Sequence, residues 1–198
     1  MNRISEQEEA RLIERARDGD SEALDRLMQA YYPMIYRYCY HFWRDRVRAE
    51  DDAQEIVLRI LKHLHRFQSG GSFKAWVFRI AFNHVRQRYR YEKLRRWIPL
   101  GRIREPENPA SDPAFSMELH ERFQWLAEGL EELNDRERTA ILLRALHDLS
   151  YQEIAKVMNC GLQQVKNYLF RGRKALQRRW RAKTETRPAG EVKHEPSL

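Results

Sequence analysis

Apolar residues recur at intervals of three and four between residues 24 and 64, a spacing that places them on one face of a helix. No alternation of apolar and polar residues, the pattern of a strand, competes with it. Two helices are predicted here; Pro33 should bend the first rather than end it, and the second should run from about Ala49 to His65. Their predicted apolar faces are Leu24, Leu27, Met28, Tyr31, Ile35 and Tyr38, and Ala53, Ile56, Val57, Ile60, Leu61 and Leu64.

Short polar residues mark the predicted starts of the neighbouring helices. Residues 18–20, Asp-Gly-Asp, should end a short first helix, after which Ser21 is placed to cap the next one. Ser72 is placed to cap a fourth helix that contains Trp76 and Val85. The first half of the chain is therefore predicted to be helical throughout.

Further helices are predicted in the last third of the chain. Asn134 is followed three residues later by Glu137, and Ser150 is followed by Glu153 in the pattern of a capping box. An amphipathic face precedes them, made by Leu119, Phe123, Leu126, Leu130 and Leu133. The fold class predicted for the whole chain is all-α.

A proline-rich stretch separates the two helical parts. Four of the seven prolines fall within residues 99–113, where no helical periodicity is present. We predict two small helical domains, residues 1–97 and 119–182, joined by a linker over residues 98–118. Residues 183–198 form a polar tail that is predicted to be disordered.

The formal net charge of +8 is concentrated in two blocks. Residues 79–104 carry nine Lys or Arg against one acid, and residues 162–183 carry eight and no acid. A single basic run is usually a solvated helix face. Two separate blocks in one short chain instead favour two contacts with a polyanion, so nucleic acid is the predicted partner.

Several classes of protein are disfavoured by the sequence. It has no run of about 18 apolar residues and no signal-peptide pattern at its start, so we expect a cytoplasmic protein without a membrane span. Cys39 and Cys160 are expected to be buried or half-buried thiols rather than a disulfide or metal ligands. His63 and His65 diverge on their helix, and no phosphate-binding loop is present, so we expect no metal, no cofactor and no enzymatic activity.

Residues 150–179 have the spacing of a helix-turn-helix. Asn159 and Gly161 suit its turn because both tolerate positive φ. Its apolar contacts are predicted at Ile154, Ala155, Met158, Leu162, Val165 and Leu169, and its outward side chains are Gln163, Gln164, Lys166, Asn167, Phe170 and Arg171. Amides, Arg and Lys read base edges in the major groove of DNA. The alternative, an ordinary helical hairpin, leaves the basic block unexplained.

Asp51, Gln54 and Glu55 are spaced at i, i+3 and i+4, so they share one face of the predicted third helix. With Glu50 and Asp52 they would make an acidic helix start. Stabilisation of that start by the helix dipole is the alternative to a role in binding.

A small-residue loop over residues 67–72 and an aromatic-rich, basic helix follow. Aromatic and cationic side chains together hold unpaired bases, through stacking and phosphate contacts. Core packing is nevertheless the favoured interpretation for most of Phe73, Phe78 and Phe82, and Trp76 is expected in the core.

Three segments resemble, in order, bacterial RNA polymerase sigma factors of the extracytoplasmic-function (ECF) group: EDDAQEIVLRILKHLHRF, GGSFKAWVFRIAFNHVRQR and LSYQEIAKVMNCGLQQVKNYLFRGRKAL. The likeness covers about residues 10–96 and 119–180. It implies a protein that binds core RNA polymerase, recognises the −35 and −10 promoter elements and promotes DNA melting at a specific regulon. It also implies an anti-sigma factor as a partner.

The resemblance assigns roles to individual residues. Asp51, Gln54 and Glu55 match the segment that grips the polymerase clamp helices. The residues matched to the −10 element as single-stranded DNA are Phe67, Gln68, Ser69, Gly70, Gly71, Ser72, Asn83 and Arg86. Those matched to the −35 element as duplex DNA are Arg144, Tyr151, Lys166, Asn167, Phe170 and Arg171.

Some positions depart from the family pattern. Asp52 is polar where the pattern is usually apolar, which implies that it adjusts the clamp contact or faces solvent. Gln152, Asn167 and the turn over residues 160–164 also differ, so an unusual −35 preference is expected. The rival hypothesis is a helix-turn-helix regulator with an N-terminal sensing or dimerising domain. It would bind promoters without polymerase, and it leaves the acidic face unexplained.

Overall fold

The computed structural model describes residues 5–68, 71–96 and 128–185. Regular structure in these ranges is helical and includes no strand, which confirms the predicted all-α class. The described residues form two compact units, one within residues 5–96 and one within residues 128–185. The predicted linker lies outside the described residues. Among the helices that are described, none has the length and apolar character needed to cross a bilayer.

Four helices build the first unit. They are α1 (Glu6–Arg17), α2 (Ser21–Trp43), α3 (Arg46–His63) and α4 (Phe73–Arg96), with a 3-10 turn at Leu64–Arg66 after α3. Helix α2 runs through Pro33 without interruption, so the prediction that this proline would not end the helix is confirmed. Helix α3 begins three residues before the predicted Ala49 and ends at His63 rather than His65.

Carboxylate side chains cap the helices of this unit more often than the sequence predicted. Asp20, not Ser21, caps α2, and its Oδ1 accepts a hydrogen bond from the backbone nitrogen of Ala23 at 3.1 Å. The prediction of Ser21 is wrong because Ser21 is already the first helical residue. Asp45 caps α3 in the same way. Ser72 caps α4 through the backbone nitrogen of Ala75 at 3.2 Å, as predicted.

The core of the first unit lies where α2 packs against α3 and α3 packs against α4. Aromatic rings fill much of it, and the rings of Tyr38 and Phe78 meet edge to face with centroids 5.9 Å apart. The predicted apolar positions that are buried are Leu27, Tyr31, Ile35, Tyr38, Ala53, Ile56, Ile60 and Leu64, together with Phe73, Phe78, Phe82 and Val85 of α4. The periodicity therefore predicted the buried face correctly at these positions.

Three helices dominate the second unit: α5 (Asp135–Ala145), α6 (Tyr151–Met158) and α7 (Leu162–Glu185), preceded by a helical segment at residues 128–131. Both predicted caps are confirmed, because Asn134 accepts bonds from Arg136 and Glu137 and Ser150 forms a full capping box with Glu153. Helix α7 continues into the predicted tail as far as Glu185. The rest of that tail and the predicted face residues 119, 123 and 126 lie outside the described residues.

The turn between α6 and α7 rests on one residue in the left-handed region. Asn159 has a φ of 48° and ends α6, as predicted, whereas Gly161 does not adopt positive φ. Leu162 is also more exposed than predicted, at 41%, and Val157 is buried instead. Of the other predicted contacts, Ala155 is half-buried. Those through Ile154, Met158, Val165 and Leu169 are buried as predicted.

A close approach between α5 and α7 depends on Gly172. A Cβ atom at this position would lie 2.9 Å from Cγ1 of Ile141, closer than real contacts allow. The glycine lets the two helices touch in the middle of the basic stretch. Arg138, one turn before Ile141 on α5, has a buried guanidinium that donates hydrogen bonds to the carbonyl oxygens of Leu130 at 2.7 Å and Glu131 at 2.8 Å.

Candidate functional site

An acidic surface lies on the outer face of α3. Asp51 and Gln54 are exposed, and Glu55 is half-buried beside Arg59, whose Nε donates a hydrogen bond to it at 2.9 Å. The first turn of α3 contains no acidic residue, because the helix begins at Arg46. The helix dipole acts mainly within the first turn. The alternative that these acids stabilise the start of the helix is therefore wrong. The exposed polar surface on α3 is not explained by the helix dipole.

The same helix carries one acid that points inward. Asp52 is fully buried, so the expectation that it faces solvent is wrong. Its carboxylate accepts hydrogen bonds from Nε1 of Trp43 at 2.7 Å and from Nε2 of His84 at 2.9 Å, and it pairs with Arg88. Burial alone would raise the pKa of Asp52, but the bond and charge of His84 and the charge of Arg88 outweigh burial and lower it. Asp52 is therefore ionised at neutral pH.

The loop before α4 divides into a buried start and an exposed end. Phe67 is 6% exposed, and its ring meets Phe73 at 5.1 Å and Trp76 at 5.6 Å between centroids. The expectation that Phe67 contacts DNA is therefore not compatible with its position, because the ring is in the aromatic core. Gln68, Gly71 and Ser72 are exposed, whereas Ser69 and Gly70 lie outside the described residues.

Helix α4 turns several of its polar and basic residues outward. Asn83 is exposed, and Arg86 is half-buried with its Cζ 5.8 Å from the ring centre of Phe82. Trp76 is half-buried rather than in the core, so that prediction was only partly right. The same helix carries further exposed basic residues, namely Arg79, Arg90 and Lys93. The structure therefore brings Asn83 and Arg86 together on one helix that begins directly after the exposed part of the loop.

Helix α7 presents the outward residues that the sequence predicted for a recognition helix. Gln163, Gln164, Lys166, Asn167, Phe170 and Arg171 are all exposed. The Nε2 atom of Gln163 donates a hydrogen bond to Oδ1 of Asn167 at 3.3 Å, which orients the Asn167 amide. Oε1 of Gln164 accepts a hydrogen bond from the backbone nitrogen of Gly161 at 3.3 Å, a contact that caps the start of α7. Phe170 is 65% exposed, an unusual exposure for an aromatic ring.

A cluster of two arginines and one tyrosine connects α5, α6 and α7 of the same unit. Arg144, near the end of α5, donates to the carbonyl oxygen of Leu149 at 3.1 Å and lies 5.8 Å from the ring centre of Tyr151. The hydroxyl of Tyr151 accepts a hydrogen bond from Arg173 of α7 at 3.1 Å. Arg144 and Tyr151, both matched to the −35 element by the resemblance, thus lie side by side, and Arg173 joins them.

Sequence reasoning missed Arg173 and the buried group around Asp52. The spacing of 22 residues between Tyr151 and Arg173 follows from the crossing of two helices and leaves no local signal. For Asp52, a helical-wheel projection would have placed it on the same face as the buried Ile56, four residues later, and beside the buried Ala53. That projection was the available signal. No group of three His, Cys, Asp or Glu suited to a metal ion occurs within the part of the chain that the structure describes.

Two family models match the chain. The model described as Sigma-70 region 2 matches residues 27–95, and the model described as Sigma-70, region 4 matches residues 123–176. The RNA polymerase sigma-H factor of Pseudomonas aeruginosa is 30% identical over 188 residues, which cover 87% of this chain and 94% of that protein. The ECF RNA polymerase sigma factor SigM of Bacillus subtilis is 30% identical over 154 residues, covering 77% and 92%.

Solved structures of low sequence identity share the fold. The structure of CnrH in complex with the cytosolic domain of CnrY matches with a TM-score of 0.68 at 21% identity, covering 88% of this chain and 98% of that one. The sigma factor RpoE of Bartonella quintana, in complex with the anti-sigma factor NepR, matches with a TM-score of 0.64 at 21% identity, covering 79% and 96%.

Proposed function

This chain belongs to the ECF group of RNA polymerase sigma factors, and on that premise we propose that its first unit binds core polymerase and opens the −10 element while its second unit holds the −35 element. Its general role is promoter-specific initiation of transcription. The proposal concerns the surfaces that carry out that role, the melting of DNA and the partners involved. Catalysis is assigned to the polymerase, and the chain itself needs no cofactor.

The exposed acidic surface of α3 is the proposed contact with the polymerase clamp helices. Asp51 and Gln54 are exposed, and no first-turn dipole effect accounts for them. Carboxylates on a rigid helix steer association and fix register against a basic partner. This exposed acidic surface, in a chain whose net charge is +8, is the observation that best supports a protein partner beside DNA.

The proposed −10 contact combines the exposed loop residues with α4. Gln68, Gly71 and Ser72 are exposed where a flipped base would enter, and Asn83 and Arg86 follow on α4. Base capture in such a site offsets an unstacking cost of a few kcal/mol. We assign Phe67 a structural role, because its buried ring packs against Phe73 and Trp76 beneath the loop.

The proposed −35 contact is the outward face of α7 in the major groove. Lys166, Asn167 and Arg171 are exposed there, and the bond from Gln163 holds the Asn167 amide in one orientation. Amide and guanidinium groups supply base readout, while other basic residues hold phosphates. Arg144, Tyr151 and Arg173 form a connected cluster that suits a phosphate contact. The turn at Asn159 supports this geometry because it separates α6 from α7, as the turn of a helix-turn-helix does.

We also propose that a protein antagonist of the anti-sigma class controls this chain in the cytoplasm. The structural neighbours CnrH and RpoE are each in complex with a protein, the cytosolic domain of CnrY and the anti-sigma factor NepR. The chain shares its fold with both over most of its length.

The test is promoter opening by core polymerase loaded with this protein. Fragmented genomic DNA is incubated with the complex, and permanganate detects unpaired thymines. Wild type should open specific fragments, and Asp51→Ala with Glu55→Ala should open them at least about tenfold less because core binding is weakened. Glu14→Ala with Glu22→Ala removes the same charge from exposed positions outside α3 and serves as the matched control. Equal loss in both variants, or no opening by wild type, would contradict the proposal.

A further inference from the structure

A buried polar cluster joins three helices of the first unit. One carboxylate, that of Asp52 on α3, accepts hydrogen bonds from Trp43 at the end of α2 and from His84 on α4, and it pairs with Arg88 one turn further along α4. Asp52 is fully buried and His84 is 4% exposed. A buried ionised carboxylate costs free energy unless its hydrogen-bond and ion-pair partners are all present. The positions of Asp52 and its partners relative to one another are therefore narrowly constrained.

The cluster lies one residue from each of the two proposed contacts of this unit. Asp51, on the proposed polymerase surface, precedes Asp52, and Asn83, on the proposed −10 surface, precedes His84. In each pair the first side chain is exposed and the second is buried. The side-chain hydrogen bond between Asp52 and His84 therefore links α3 to α4 next to the residues that form the two proposed surfaces.

A second set of contacts joins the same helices near the start of α3 and the end of α4. Arg48, in the first turn of α3, forms an ion pair with Glu92 of α4, and its Cζ lies 3.7 Å from the ring centre of Trp43. Trp43 in turn donates to Asp52. Connected polar contacts between the two helices therefore extend over about one turn of α3, from Arg48 to Asp52, and about two turns of α4, from His84 to Glu92.

Stability alone does not explain this arrangement. Replacing a buried ion pair by apolar residues of similar volume is often neutral or stabilising, whereas polar contacts permit only one register. We infer that Asp52 and His84 are positioning residues, whose bond holds the polymerase-facing surface of α3 and the −10-facing surface of α4 in the relation that base capture requires. The inference rests on the proposed function of these two surfaces.

The test replaces the pair without leaving a buried charge behind. Asp52→Leu with His84→Leu fills the site with apolar side chains, and Arg88, whose side chain is 40% exposed, can turn to solvent. Holoenzyme made with this variant is compared with wild type on a promoter fragment that wild type opens. Two quantities are measured: the affinity of the closed complex and the rate constant of opening, followed by permanganate reactivity.

The variant should keep its core-polymerase and closed-complex affinities and its thermal stability, but it should open the promoter about tenfold more slowly, because small misplacements of reacting groups are costly. Asp52→Asn with His84→Gln, which keeps a neutral hydrogen-bonding pair, should recover much of the rate. Opening by the leucine pair at the wild-type rate would overturn the inference. If that pair fails to fold, Asp52→Asn with His84→Leu, which also removes the bond between the helices and leaves no buried carboxylate, is measured in its place, and a wild-type rate there overturns it equally. Failure of wild type itself to open any promoter would instead refute the proposed function.

Discussion

At the scale of single residues, His41 is the side chain whose protonation the fold opposes most clearly. Burial lowers the pKa of His41 from 6.5 to about 4, and the charges of Arg37 and Arg44 add to the effect. The folded protein therefore holds this imidazole neutral at pH values where the unfolded chain protonates it. Because the unfolded state binds more protons between these two pKa values, the free energy of unfolding falls as the pH falls from about 6.5 to about 4.

Replacement of His41 should remove that part of the pH dependence. Wild type should lose up to about 3 kcal/mol through this group between pH 7 and pH 4, since one pKa unit corresponds to 1.36 kcal/mol. His41→Gln should show a correspondingly shallower loss, measured by chemical denaturation at a series of pH values. His65→Gln, at an exposed position of the same unit, is the control. Parallel curves for wild type and His41→Gln would contradict the assignment.

At the scale of the elements, α3 shows an outward stripe of two polar residues with one apolar residue at each end. Val47, Asp51, Gln54 and Leu58 are spaced by four, three and four residues, so they follow one line along the helix. Val47 is 53% exposed and Leu58 is 60% exposed. The polar centre of the proposed polymerase surface therefore has an apolar residue at each end, an arrangement that suits an interface with a buried anchor.

Leu58→Ala should accordingly weaken binding to core polymerase while leaving the fold unchanged. A loss of about 1 kcal/mol or more in binding free energy is expected for an interface anchor, and little loss of stability is expected at an exposed position. Competition for labelled core polymerase measures the affinity. Leu94→Ala, at a position of α4 that is 69% exposed, makes the same chemical change elsewhere. The assignment is wrong if the two variants lose affinity equally.

The elements also show what periodicity and capping rules could predict. The buried faces of α2 and α3 and the caps at Ser72, Asn134 and Ser150 follow from local spacing alone. The interior position of Asp52 did not follow, because a charged residue on an apolar face becomes tolerable only through partners on other helices. Its partners Trp43 and His84 are 9 and 32 residues away in the chain.

At the scale of the whole molecule, two small units each supply their own core and their own exposed basic helix. In the first unit α4 carries the basic block, and in the second α7 carries it. Neutralised phosphates supply most of the binding energy in such contacts, while a few side chains supply specificity. Two weak contacts on one chain reinforce each other, because binding by one unit raises the effective concentration of the other at the promoter. The proline-rich stretch predicted this division into two units. The matches to Sigma-70 regions 2 and 4 distinguish the chain from a regulator that acts without polymerase.

The most direct measurement of the central claim is run-off transcription with core polymerase and this protein on a library of genomic promoter fragments. We predict discrete transcripts that require both the core polymerase and this chain, and that are lost with Asp51→Ala and Glu55→Ala but kept with Glu14→Ala and Glu22→Ala. Specific binding of this protein to promoter DNA without polymerase, together with no transcript from any fragment when the core is shown to be active, would contradict the account.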